Sequence, residues 1–159
     1  MIFLKKKIFI IGIIGLLLDR ASKIIISKKL LLHKSITLIP RVLYITYEKN
    51  DGAAWSILSG NRLLLIIVSF IVLVAFIYYL IKEKNINVIE SISYAFILSG
   101  IVGNLIDRIC YGYVIDFINV YIFEYDFPIF NIADVLIVMG TIIYVITCIK
   151  RGDKIENSN

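Results

Sequence analysis

One histidine and two cysteines in 159 residues leave too few nitrogen and sulfur donors for the usual zinc ligand sets, although carboxylates could still hold a metal. The same scarcity argues against a histidine-activated serine. His33 is the one imidazole, placed where a loop residue is expected, and no base stands near Ser56, Ser59 or Ser99. Ser22 and Lys23, adjacent on a helix, face different sides and do not make a Ser–Lys pair. Cys110 and Cys148 fall near opposite ends of neighbouring apolar segments, which separates them too far for a disulfide. Charge is scarce as well: 18% of residues are charged and 60% hydrophobic, against about a quarter and about half in soluble domains. This is the composition of a membrane protein. The net charge of +5 sits at the ends of apolar runs, as topology signals do, and gives no reason to expect nucleic acid. No internal repeat or low-complexity linker divides the chain, and 1–159 reads as one integral membrane domain.

The apolar runs predict four membrane helices, at about 8–27, 63–81, 88–106 and 132–149. The first follows Lys5, Lys6 and Lys7 and resembles the opening of a secretory signal. It is read as retained, because DRASK puts charges where small residues should flank a cleavage site. Between the helices lie segments 28–61 and 107–131, expected outside the cytoplasm. The first of them contains the alternating VLYITY and the turn signal Asn50-Asp51-Gly52, which predict a small hairpin or sheet on the membrane surface. The segment from 109 to 130 reads as an amphipathic connection able to act as a lid. The fold class is therefore an all-α membrane protein, a four-helix bundle with a small extracytoplasmic hairpin or sheet. Lysines at the N-terminus, in the 82–87 loop and after 149 put both termini in the cytoplasm. Trp55 and Tyr44, Tyr47, Tyr111, Tyr113, Tyr121 and Tyr125 read as an interfacial belt.

Polar residues inside such helices need a reason, since an ionised side chain in hydrocarbon costs at least a few kcal/mol. At about 1.5 Å rise per residue, Asp19 and Lys23 lie about 18 and 24 Å above Lys7, Gly100 and Asn104 about 20 and 26 Å above Asn87, and Asp134 about 24 Å above Lys150. Three helices thus bring polar groups to one layer near the outer boundary, which describes a site rather than a conduction path. Asp19 and Lys23 can pair across one turn, Asp107 and Arg108 can hold the loop by an ion pair or cap, and Asn131 can cap the fourth helix. The remaining chemistry is that of paired carboxylates: two close acids share one proton and leave one group as base and one as acid around a water molecule. Spacing does not say which two of Asp19, Asp107, Asp116 and Asp134 form the pair. A proton-coupled transporter would spread its charges through the bilayer or use repeats and broken helices. In a purely structural or scaffold protein the polar layer would serve only helix association.

Five blocks, in order, resemble those of lipoprotein signal peptidase, the type II signal peptidase of bacteria: DRASK at 19–23, NDGAAWS at 50–56, GIVGNLIDR at 100–108, VIDFI at 114–118 and FNIAD at 130–134. The resemblance covers nearly the whole chain and departs only in Trp55, where the family more often has Phe. It implies a membrane aspartyl endopeptidase of the bacterial cytoplasmic membrane, working at the outer face without metal or cofactor. Its substrates would be diacylglyceryl-modified prolipoproteins, cut on the amino side of the lipidated cysteine. It further implies that Asp116 and Asp134 are the catalytic dyad and that Asp19, Lys23, Asn50, Gly100, Asn104, Asp107, Arg108 and Asn131 position the substrate or the dyad. The expected partners are lipid-modified signal peptides and membrane phospholipid, and the expected state is a monomer.

Overall fold

In the computed structural model, which describes residues 2–53, 57–123 and 125–156, the element order is α1 (Ile2–Lys29), β1 (Ser35–Ile39), β2 (Leu43–Asn50), α2 (Arg62–Lys82), α3 (Val88–Cys110), β3 (Val114–Ile122), β4 (Tyr125–Asp126) and α4 (Ile132–Glu156). The fold is mostly helical. Arg62–Lys82, Val88–Cys110 and Ile132–Arg151 are long and apolar enough to cross a membrane. α1 is 28 residues long, but Asp19, Arg20 and Lys23 interrupt its apolar stretch and it is not one of these three.

α3 is the central helix, packed by α1, α2 and α4. Its sequence suits that place. Small residues let neighbours approach closely: a Cβ on Gly100 would strike the Ala133 carbonyl and Ile137 of α4, and in return one on Gly140 of α4 would lie 2.8 Å from both Ile97 and the Ser93 carbonyl of α3. Asn87 and Glu90 close its N-terminus in a capping box, each side chain accepting from the other's backbone N–H. At the far end from the sheet, Ile8, Leu80, Ile86, Tyr94 and Ala95 form one core cluster. There the Tyr79 hydroxyl meets those of Tyr94 at 3.2 Å and Tyr144 at 3.1 Å, joining α2, α3 and α4. α2 is otherwise peripheral.

The small sheet expected beside the helices has four strands in the order β1-β2-β3-β4, and it corrects three details. The 109–130 segment, expected as an amphipathic connection, contains a strand: its residues 114–122 form β3, antiparallel to β2 with Asp116 opposite Glu48 and Val114 opposite Asn50. Because Val114, Ile115, Asp116 and Phe117 are all buried, β3 shows no alternation of polar and apolar residues and gives no strand signal. Asn50-Asp51-Gly52 ends β2 rather than turning the hairpin; the β1–β2 turn lies at Pro40–Val42, with Arg41 at φ 64° and its N–H donating to the Tyr44 hydroxyl. Tyr47, assigned to the belt, is instead buried with Ile115 and Phe117, against Ile26 of α1, Leu30 just beyond it and Ile132 of α4. This second cluster seats the sheet on the helix ends. Trp55 lies outside the described residues. The helices also run further than their apolar stretches, α1 back to Ile2, α3 on to Cys110 and α4 on to Glu156, since backbone hydrogen bonding does not stop where hydrophobicity does.

Candidate active site

Asp19, Lys23 and Asp107 have no solvent exposure at all, and three charges so placed must compensate one another. The Lys23 ammonium has three acceptors around it: Asp19 Oδ2 at 3.0 Å, Asp107 Oδ2 at 2.9 Å and Asn104 Oδ1 at 3.0 Å. Asp19 Oδ2 makes no aligned hydrogen bond among the described residues, so its link to Lys23 is a charge contact across one turn of α1. A Cβ on Gly103 would lie 2.6 Å from that same oxygen, so glycine makes the room for it. The other Asp19 oxygen accepts from the Ala133 N–H at 2.9 Å, placing a carboxylate at the exposed amides and positive dipole end of α4. Asp107 also pairs with Arg20 and accepts from the Ile115 N–H at 3.2 Å, which fixes the start of β3 against α1 and α3.

Above this layer stand the two acids. The Asn131 side chain accepts from the Asp134 N–H at 3.1 Å, and Asp134 Oδ2 accepts from the Asn131 N–H at 3.0 Å, so a reciprocal cap begins α4 and fixes Asp134 in its first turn. Asp134 Oδ1 accepts from the Asn104 amide at 2.7 Å. Asn104 has no freedom to present its other end, because its Oδ1 already accepts from Lys23 and from Asn131 Nδ2 at 3.2 Å. Asp116, from β3, accepts from Asn131 Nδ2 at 2.7 Å on one oxygen and from Asn50 Nδ2 at 2.9 Å on the other. Asn131 thus holds both acids, one by its backbone and one by its amide.

Their environments differ. Asp116 is 3% exposed, whereas Asp134 is half-buried. Burial, and then the neighbouring Asp134 carboxylate, push Asp116 up to about 7; the amides of Asn50 and Asn131 and the charge of Lys23 act the other way. Arg108 is close enough for its charge to act on both acids. Its Nη2 donates to the Gly52 carbonyl at 3.1 Å, while its buried Nε has no hydrogen-bond partner among the described residues. Such an arrangement, one acid biased towards its neutral form beside another open to the outside, suits general acid–base hydrolysis.

A family model described as Signal peptidase (SPase) II matches residues 11–150. The chain belongs to the signal peptidase II family. A lipoprotein signal peptidase of Staphylococcus aureus (strain JH9) is 40% identical over 150 residues, covering 91% of this chain and 92% of the relative, and that of strain Newman matches equally well. Two solved bacterial membrane enzymes share the fold: one has TM-score 0.86 at 37% identity, covering 92% of this chain and 90% of its own, the other TM-score 0.81 at 38% identity, covering 90% and 92%.

In this chain Asp19, Lys23, Asn50, Asn104, Asp107, Asp116, Asn131 and Asp134 are joined by direct contacts, and Arg108 joins them through Gly52, whose N–H donates to Asn50 Oδ1 at 2.9 Å. Gly100 contributes no polar group; it lies against Ala133 and Ile137 and serves the α3–α4 contact. Asp107 and Arg108 lie in the last turn of α3, which runs on to Cys110. His33 is exposed and contacts Glu48 at 2.8 Å, and both cysteines are free. Arg20 escaped the sequence reading. Its signal was present, one more charge in a hydrophobic helix beside Asp19, but nothing in spacing pointed it at Asp107.

Proposed function

We propose that the chain is an aspartyl endopeptidase that removes the signal peptide from diacylglyceryl-modified prolipoproteins, with Asp116 and Asp134 as its catalytic dyad. The observation that carries this reading is Asn131, which grips one acid with its backbone and the other with its side chain. In the reacting state Asp116, which burial biases towards its neutral form, carries the one proton of the pair, and a water molecule is bound between the two acids. Asp134 takes a proton from this water as its oxygen attacks the carbonyl carbon preceding the lipidated cysteine. Asp116 gives its proton to the carbonyl oxygen, forming a neutral gem-diol. Collapse of the diol breaks the C–N bond. The proton on Asp134 passes to the leaving nitrogen, and a diol proton returns to Asp116. The products are a signal peptide ending in a carboxyl group and a lipoprotein beginning with a free amine.

The other residues prepare this step. Arg108, with Nε unpaired, is placed to hold a substrate carbonyl, and Asn104 and Asn50 orient the acids. Lys23, Asp19 and Asp107 fix the layer beneath. α1 joins α2, α3 and α4 as a fourth span, its charges turned into the bundle. Both termini lie in the cytoplasm and the dyad faces the outer leaflet of the cytoplasmic membrane, where a signal helix brings its cleavage point and the substrate lipid stays in the bilayer. The working unit is a monomer.

Purified protein in detergent should cleave a lipidated prolipoprotein and leave its unlipidated form intact. The Asp116→Asn and Asp134→Asn variants should insert and fold but fail to cleave. Substantial cleavage by either purified variant removes that residue from the dyad.

A further inference from the structure

From Lys28 to Asn50 the chain carries five cations, Lys28, Lys29, Lys34, Arg41 and Lys49, and a single acid, Glu48. That acid is engaged by His33, and Lys49 lies 4.7 Å above the Tyr113 ring. Lys28, Lys29, Lys34 and Arg41 are exposed, and none has a carboxylate within ion-pair distance among the described residues. Between them runs an equally uncompensated apolar surface. Every residue from 31 to 42 is exposed, including Leu31 at 75%, Ile36 at 52%, Leu38 at 54% and Ile39 at 50%. β1 is an edge strand, and an exposed, aliphatic edge invites unwanted pairing unless something covers it.

The register says which way part of this surface looks. Ile36 lies opposite Ile45, so the two share a face of the sheet, and Ile45 packs on the cluster formed with Ile26 and Leu30 at the end of α1. Ile36 is therefore on the face turned towards the helices. Ser35 takes the other face, where its hydroxyl meets that of Thr46 at 2.9 Å. Aliphatic side chains directed to the level of the helix ends, ringed by unpaired cations, match the boundary of a bilayer: hydrocarbon beneath, phosphate above. The signs of the charges narrow the occupant further. Basic residues favour the cytoplasmic side, so in the orientation proposed above these four cations work against topology.

We propose that the β1–β2 hairpin, with Lys28 and Lys29, is a docking surface for anionic phospholipid headgroups of the leaflet on the sheet side of the bundle. Lys28, Lys29, Lys34 and Arg41 meet the phosphates while Ile36 and its neighbours enter the upper hydrocarbon. The hairpin then acts as a float that sets the level of β2 and β3, and hence of Asn50 and Asp116, against the membrane surface. The proposal rests on the reading above only in naming this leaflet as the outer one.

The test uses the full chain with Cys110→Ser, Cys148→Ser and Ile36→Cys, labelled with a fluorophore and reconstituted in phosphatidylcholine vesicles. These contain trace headgroup spin-labelled phosphatidylglycerol or, in parallel, headgroup spin-labelled phosphatidylcholine. A cation near an anionic surface is worth roughly a fivefold preference, so quenching by the phosphatidylglycerol probe should exceed that by the phosphatidylcholine probe several-fold. The preference should shrink as salt is raised, since the screening length falls from about 10 Å at 0.1 M to about 3 Å at 1 M. It should also fall towards one in the Lys28→Gln, Lys29→Gln, Lys34→Gln, Arg41→Gln variant. Equal quenching by the two probes overturns the proposal, as does a preference insensitive to salt and to the four substitutions. Energy transfer between labelled copies without lipid quenching would assign the edge to a second copy of the chain and overturn it too. Because quenching asks nothing of catalysis, its failure and the failure of the cleavage assay are separate results.

Discussion

Replacing Asn50 by alanine removes the amide that donates to Asp116 at 2.9 Å and leaves the Asn131 bond to the other oxygen in place. That amide favours the charged carboxylate, so without it Asp116 keeps its proton to higher pH than the value of about 7 it has in the intact site. A hydrogen bond to a charged group is worth about 1.5–3 kcal/mol. At about 1.4 kcal/mol per pKa unit this sets a ceiling of one to two units. Asn50 is half-buried, so water replaces part of the lost bond and a rise of about one unit is expected. In the proposed mechanism activity needs Asp116 protonated while Asp134 is charged, and kcat/KM falls as pH rises through the second ionisation of the pair. The alkaline limb of the Asn50→Ala profile should therefore move up by about one pH unit, even as the plateau drops. The assay is cleavage of a lipidated prolipoprotein peptide in detergent from pH 5 to pH 10 (roughly the range that spans both limbs). An alkaline limb that stays in place or moves to lower pH would refute the assignment of the proton to Asp116.

Asn131→Ala removes the cap of α4 and the amide on Asp116 together; it should lower the melting temperature, a cap being worth about 1 kcal/mol, and reduce kcat far more than it changes KM. Asn131→Ser restores a capping oxygen but no amide, so the melting temperature should recover while kcat does not; recovery of both would make Asn131 merely a cap. Lys23→Met leaves Asp19 and Asp107 buried with only Arg20 beside them, a loss of about 3–5 kcal/mol of stability, which should show as low yield and a lower melting temperature in detergent. Gly103→Ala pushes a methyl group against Asp19 and should cost about 1–3 kcal/mol in the same measurement; an unchanged melting temperature would mean that α1 and α3 can part at no cost.

The helices were legible because burial in lipid demands long apolar runs, and α2, α3 and α4 answer that demand directly. The polar layer was legible for the converse reason: Asp19, Lys23, Asn104 and Asp134 have no business at their depths unless they meet. What could not be read was which acid partners which. That information lies in β3, whose residues Val114 to Phe117 are buried without alternation and so look like neither strand nor helix. Asp116 reaches the site only through pairing with β2, a contact between residues about 66 positions apart such as Asn50 and Asp116. Asn50-Asp51-Gly52 misled in a related way. Its turn propensity is real, but the backbone uses it to leave the sheet, while Pro40 and Arg41 make the hairpin. Tyr47 looked amphipathic enough for the interface, yet a sheet seated on α1 needs a large ring there.

The bond from Asp19 to the Ala133 amide spans 114 positions of sequence. Synthesis delivers α1 first and α4 last, so the carboxylate that steadies the start of the final helix waits through most of translation for its partner. Asp134 acquires its set position only when that helix arrives. The first turn of α4, which carries Asp134, is thus steadied by a side chain from a helix made long before it, and neither end of that bond is in place until both helices share the bilayer.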